Sequence, residues 1–148
     1  MEKTVQQNLL QLITREWESL SVELKPWGVW IRQYAPIPIG ADCEIDDSSL
    51  PLQTWFLDRQ GIRQRSVWEF KRLQVVHWEQ PWCKKANKEI SALWTPRHYE
   101  IGLAAIAEYE DSPDVYIETI WAGLYGKRLR VKFDENGKVI DRNEVWVA

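Results

Sequence analysis

His98 and Glu100 are the pair in this sequence best placed to do chemistry, with Tyr99 between them. On an extended chain, residues two apart share a face, so the imidazole and the carboxylate lie within about 6–7 Å of each other. A histidine beside a carboxylate is the minimum equipment for general acid–base work. The commoner arrangement with the same spacing is a half-exposed strand histidine next to a solvated glutamate. The other histidine, His77, stands with Cys83 on either side of Trp78 and Trp82. Cysteine and histidine make a nucleophile pair or two metal ligands. Here they lack a CxxC, an HExxH or a second cluster to complete a site, so a structural thiol and a packed imidazole are the plainer reading.

The remaining charged groups fall into runs. Asp42, Glu44, Asp46 and Asp47 form an acidic stretch without the spacing or central glycine of an EF-hand loop, and read as solvated loop. Arg128, Arg130 and Lys132 alternate along one strand face, and Arg63 and Arg65 do the same elsewhere. Interleaved with Trp68 and Trp121, such cations would suit stacking on a single-stranded nucleic acid. Glu100, Glu108 and Glu118 on nearby strands can pair with them instead. The net charge of −3, from 19 basic and 22 acidic residues, gives no general attraction to polyanions, so nucleic acid is not an expected partner. Gly102, Ala104 and Gly123 are small residues within strands, where they mark curvature, close approach or the floor of a small cup. No cofactor and no metal is expected.

The elements that must position these groups read as follows. Val5, Leu9, Leu12, Ile13, Trp17, Leu20 and Leu24 recur at steps of three and four, predicting an N-terminal helix with Thr4 as N-cap, stopped by Pro26 and Gly28. Val29 to Tyr34 and Thr54 to Leu57 read as strands, separated by a long Pro- and Asp-containing loop. Asp58-Arg59-Gln60-Gly61 reads as a hairpin turn, followed by an extended segment from Ile62 to about Glu79. Lys84 to Leu93 reads as a short helix. Three alternating runs, around Tyr99–Tyr109, Val115–Ala122 and Arg128–Phe133, then a last strand from Val139, have short connections that imply an antiparallel meander. The fold class is α+β: a helix laid on a curved antiparallel sheet of five or six strands. In element order alone this is similar to cystatin-like or nuclear-transport-factor-2-like (NTF2-like) folds.

A length of 148 residues fits one domain over residues 1–148 with a full core. Two cysteines give no disulfide framework, and no apolar run approaches a membrane span, so a cytoplasmic protein without membrane attachment is expected. Ten tryptophans spread along the chain are the unusual feature. Each, if buried, removes about 150–250 Å² from water, and most are expected in the core. Trp30 and Trp146 fall out of phase with the apolar residues beside them, and a two-layer domain has one buried sheet face. A second cover is then needed: a loop, a partner chain or a ligand. The leading expectation is a binding or scaffold protein, self-associating as a homodimer or docking another protein, with Trp30, Trp121 and Trp146 as exposed anchors. The alternative is a small-molecule pocket between helix and sheet, with Trp68 and Trp121 as walls and His98, Tyr99 and Glu100 as polar groups.

Overall fold

The apolar stripe at three-and-four spacing forms helix α1, Lys3–Glu18, in a computed structural model that describes residues 1–22, 25–38, 50–78, 101–121 and 125–147. The side chains of residues 73–78, 125, 146 and 147 lie outside that description. α1 buries Leu9, Leu12, Ile13 and Trp17. Glu2, not Thr4, occupies its N-cap position. The helix ends well before Pro26. The Ser19 hydroxyl donates to the carbonyl of Glu16 at 2.8 Å, and the Trp17 indole N–H donates to the carbonyl of Pro26 at 3.0 Å. That second bond ties the returning chain to the helix and brings Val29 down onto the sheet.

Among the described residues seven strands follow: β1 (Val29–Gln33), β2 (Gln53–Asp58), β3 (Gly61–Arg65), β4 (Gly102–Glu108), β5 (Val115–Trp121), β6 (Tyr125–Phe133) and β7 (Val139–Val147). They form one open sheet in the order β3-β2-β1-β4-β5-β6-β7. β4 to β7 are the expected antiparallel meander, and β1-β2-β3 is a second one. The two are joined by β1 against β4, which run parallel, with Ile31 opposite Ala104. The expectation of a purely antiparallel sheet of five or six strands is corrected on both points. The chain between β1 and β4 supplies the long crossover that parallel strands require.

The extended reading of residues 62–79 is also corrected. β3 stops at Arg65, and helix α2 (Val67–Trp78) begins directly after Ser66. Ser66 Oγ accepts the N–H of Trp68 at 3.2 Å, and Glu69 turns back to bind Arg65. Serine followed three residues later by glutamate is a helix-start signature that outweighs the β-branched and aromatic residues around it.

Among the described residues, α1 and α2 give the sheet two cores. On one face α1 packs Leu9, Leu12, Ile13 and Trp17 on Val29, Ile31, Trp55, Leu57, Ala104, Ile106, Ile117, Trp121 and Val131. On the other, Phe70 of α2 packs with Trp30, Phe56 and Ile101. Gly28 is where the second core meets the backbone. A Cβ at Gly28 would lie 2.3 Å from the tip of the Phe56 ring. That ring is itself packed between Trp27 and Trp30, with centroids 5.8 and 5.2 Å away. Gly28→Ala is expected to cost about 1–3 kcal/mol through overpacking, read as a lower urea midpoint with an unchanged m-value.

The β6–β7 turn is formed by Asp134-Glu135-Asn136-Gly137, with Gly137 at φ +78°. Asp134 Oδ1 accepts the N–H groups of Asn136 and Lys138, each at 2.9 Å. The Asn8 amide of α1 donates to the carbonyl of Gly137, fastening the helix to this turn.

Candidate functional site

The out-of-phase tryptophan of β1 has found its cover within the chain. Trp30 is fully buried under α2, 5.8 Å from the Phe70 ring centroid and tilted against Phe56. Trp121 is also fully buried, on the opposite side of the sheet in the α1 core, where its ring lies against Gly102. Neither is an exposed anchor, and that expectation is corrected. For Trp30 the reason is α2: once residues 67–78 are helical, both sheet faces around β1 and β2 are buried and alternation no longer marks one of them as wet. Trp146 is placed opposite Arg128 by the β6–β7 register; its side chain lies outside the described residues.

The second expected constellation also separates. Trp68 sits on α2, on the Trp30 side of the sheet, and Trp121 faces α1, so the two do not wall one cavity. His98, Tyr99 and Glu100 lie outside the described residues, as do Cys43, Cys83, the acidic run at 42–47, Gly123, the segment 84–93 and the His77 side chain. Gly102 and Ala104 pack tightly instead of flooring a cup. A Cβ at Gly102 would stand 2.9 Å from the Pro26 ring, and Ala104 is in the α1 core.

Two features remain. The first is aromatic. Trp68, in the first turn of α2, is 67% exposed, while Phe70 two residues on is buried. Beneath the helix lies a buried cation, Arg32, which donates to the Tyr34 hydroxyl at 3.1 Å. Its guanidinium stands 5.3 Å from the Phe70 ring and 5.6 Å from the Tyr34 ring. Aromatic faces are attractive to a guanidinium at this range. Phe70 is thereby held between the Trp30 ring and one cation, so Trp68 is presented from a fixed helix start rather than from a loop.

The second feature is ionic. A cleft of roughly 560 Å³ opens between Leu12, Arg15 and Glu16 of α1, its C-cap Ser19, and residues 139–142 of β7. Glu16 lies at its floor, with its side chain only 10% exposed. Its carboxylate accepts from Lys127 Nζ at 2.5 Å and from the Arg142 guanidinium. Lys127 also reaches Glu144 at 3.6 Å. Sequence spacing does not mark this cluster, because Glu16 stands beside the apolar stripe of α1 and its partners come from the far end of the chain.

The basic stripes are largely neutralised in place. Arg128 pairs with Glu118 directly across β5–β6, and Arg130 approaches Asp114 at 3.8 Å. Arg63 and Arg65 bind Asp58 and Glu69, each at 2.7 Å. Among the described residues, no group of three or more metal-type ligands converges, and no helix is long and apolar enough to cross a membrane. Comparison with protein families, with curated proteins and with solved structures finds no match to this chain.

Proposed function

We propose that the chain is a binding or scaffold protein that works by self-association or by docking another protein, and that Trp68 is its aromatic anchor. The observation that carries the reading is the contrast on α2: Trp68 is two-thirds exposed on a helix start whose neighbour Phe70 is locked into a core. Exposing so large an apolar side chain on a rigid element has an energetic cost in the isolated chain, and tryptophan is the residue most enriched at the centres of protein interfaces. Rigid presentation lowers the ordering cost of binding. The likeness in outline to cystatin-like or NTF2-like folds belongs to this reading and rests on element order. A location in the cytoplasm belongs to it as well.

Trp68→Ala tests it. Stability is expected to change by less than about 1 kcal/mol, because the side chain is mostly in water. Self-association seen by sedimentation, or capture of a protein partner once one is in hand, is expected to weaken by tenfold or more, the range of hot-spot truncations. A stability loss as large as that of a core residue, with association unchanged, would make Trp68 a packing residue and remove the anchor.

A further inference from the structure

The geometry points to a second copy of this chain as the partner of β7, paired edge to edge and antiparallel about a twofold axis through Asn143. This rests on the self-association half of the proposed function and uses a surface other than Trp68. β7 ends the sheet among the described residues. An edge strand presents unpaired N–H and C=O groups that accept another strand. Its register to β6 shifts at two places, once between the positions opposite Arg128 and Leu129 and once between those opposite Lys132 and Phe133. These irregularities leave Val145 and Ile140 outside the pairing and bound a regular run, Asp141, Arg142, Asn143 and Glu144. Ile140 and Val145 are at least half exposed at its two ends, unusual for apolar side chains beside an open ladder.

The run is complementary to itself. With Asn143 on the axis, Arg142 of each copy stands opposite Glu144 of the other. Both residues project to the α1 side, opposite Val131 and Leu129, so the facing charges share one surface of the joined sheet. Arg142 and Glu144 are each about half exposed and able to reach across. Directly opposed unlike charges stabilise a strand pair and like charges destabilise it. The register is therefore fixed. A slip of two residues in one direction puts Arg142 against Arg142 on the axis, and in the other direction Glu144 against Glu144. A slip of one residue turns one copy over, placing its α1 on the wrong side of the sheet. Exposed apolar residues at both ends of the run then come together, Ile140 toward the position of Trp146 and Val145 beside Asp141. The product is a continuous sheet with both α1 helices on one side.

Charge exchange tests this with the full chain. By sedimentation velocity from roughly 10 µM to 1 mM, the range in which small interfaces associate, wild type is expected to shift from monomer to dimer. Arg142→Glu and Glu144→Arg are each expected to weaken the dimer at least tenfold, since each places like charges opposite. An equimolar mixture of the two variants restores it, because every facing pair is again unlike. Asn143→Lys puts like charges on the axis without touching the contacts of Glu16, and is expected to weaken the dimer while the circular dichroism stays that of wild type. A wild-type dimer indifferent to all these changes overturns the β7 pairing and leaves self-association standing. A wild type that stays monomeric throughout overturns both.

Discussion

Trp30→Ala is expected to remove about 3–5 kcal/mol of stability, the cost of emptying a fully buried tryptophan site, and to release α2 before the rest of the chain unfolds. Trp30 is the floor of the smaller core. Phe70 reaches the sheet through it and Phe56, and both rings lie within 6 Å of it. Without the indole, Phe70 loses its deepest contact and the guanidinium of Arg32 faces a void where a packed layer stood. Trp121→Ala is expected to cost a similar amount, but on the α1 side, where fifteen buried residues among those described form the larger core. The two variants separate in hydrogen exchange. After Trp30→Ala, amides of the first turns of α2 are expected to exchange by local opening while β5 and β6 keep their protection. After Trp121→Ala, protection is expected to fall across α1, β5 and β6 together. Equal loss everywhere in both variants would mean that the two faces of the sheet open as one unit, against the division into two cores.

The same two tryptophans show how much of the fold was written in local pattern. The stripe from Val5 to Trp17 predicts α1 and its buried face, and strict alternation in 115–121 and 129–133 predicts β5 and β6 with the correct side inward. Those signals are local and repeat over several turns or residues. The parallel junction of β1 to β4 is not local; it depends on the crossover between them, which periodicity does not see. α2 carries two opposed signals. Val67, Trp68, Phe70, Val75 and Val76 look like strand by composition, while Ser66 and Glu69 announce a helix in four residues. Taken as strand, residues 67–78 leave one face of β1 without a cover and make Trp30 an anchor; as a helix they bury it. Trp121 is a different case: it alternates in phase with Val115 and Ile117, and that phase places it on the buried α1 face. The ionic cluster at Glu16 was out of reach, since Lys127 and Arg142 are brought to it only by the order of β6 and β7 in the sheet.

Glu16 is where the second large effect is expected. It is a carboxylate at the edge of the main core, nearly closed to water, with one cation almost as buried and one half exposed. Removing one member of a buried pair leaves the other charge without compensation and costs about 3–5 kcal/mol. In Glu16→Leu, the ammonium of Lys127 keeps only Glu144 at 3.6 Å, and that carboxylate is itself largely in water. Arg142 can rotate into solvent from the rim of the cleft. A loss near the lower end of the range, about 3 kcal/mol, is therefore expected in urea unfolding. Replacing both partners, Glu16→Leu with Lys127→Met, is expected to recover most of it, because an apolar pair of similar volume needs no desolvation of charge. Failure of the double variant to recover would show that the loss does not come from the uncompensated ammonium of Lys127. Whether the carboxylate also serves Arg142 has a separate readout. If Glu16 only stabilises the chain, the single variant dimerises through β7 as wild type does, since Arg142 still faces Glu144 of the second copy. If Glu16 sets the direction of the guanidinium, dimerisation weakens with the single variant and stays weak in the double one, where stability has returned but the aiming carboxylate has not.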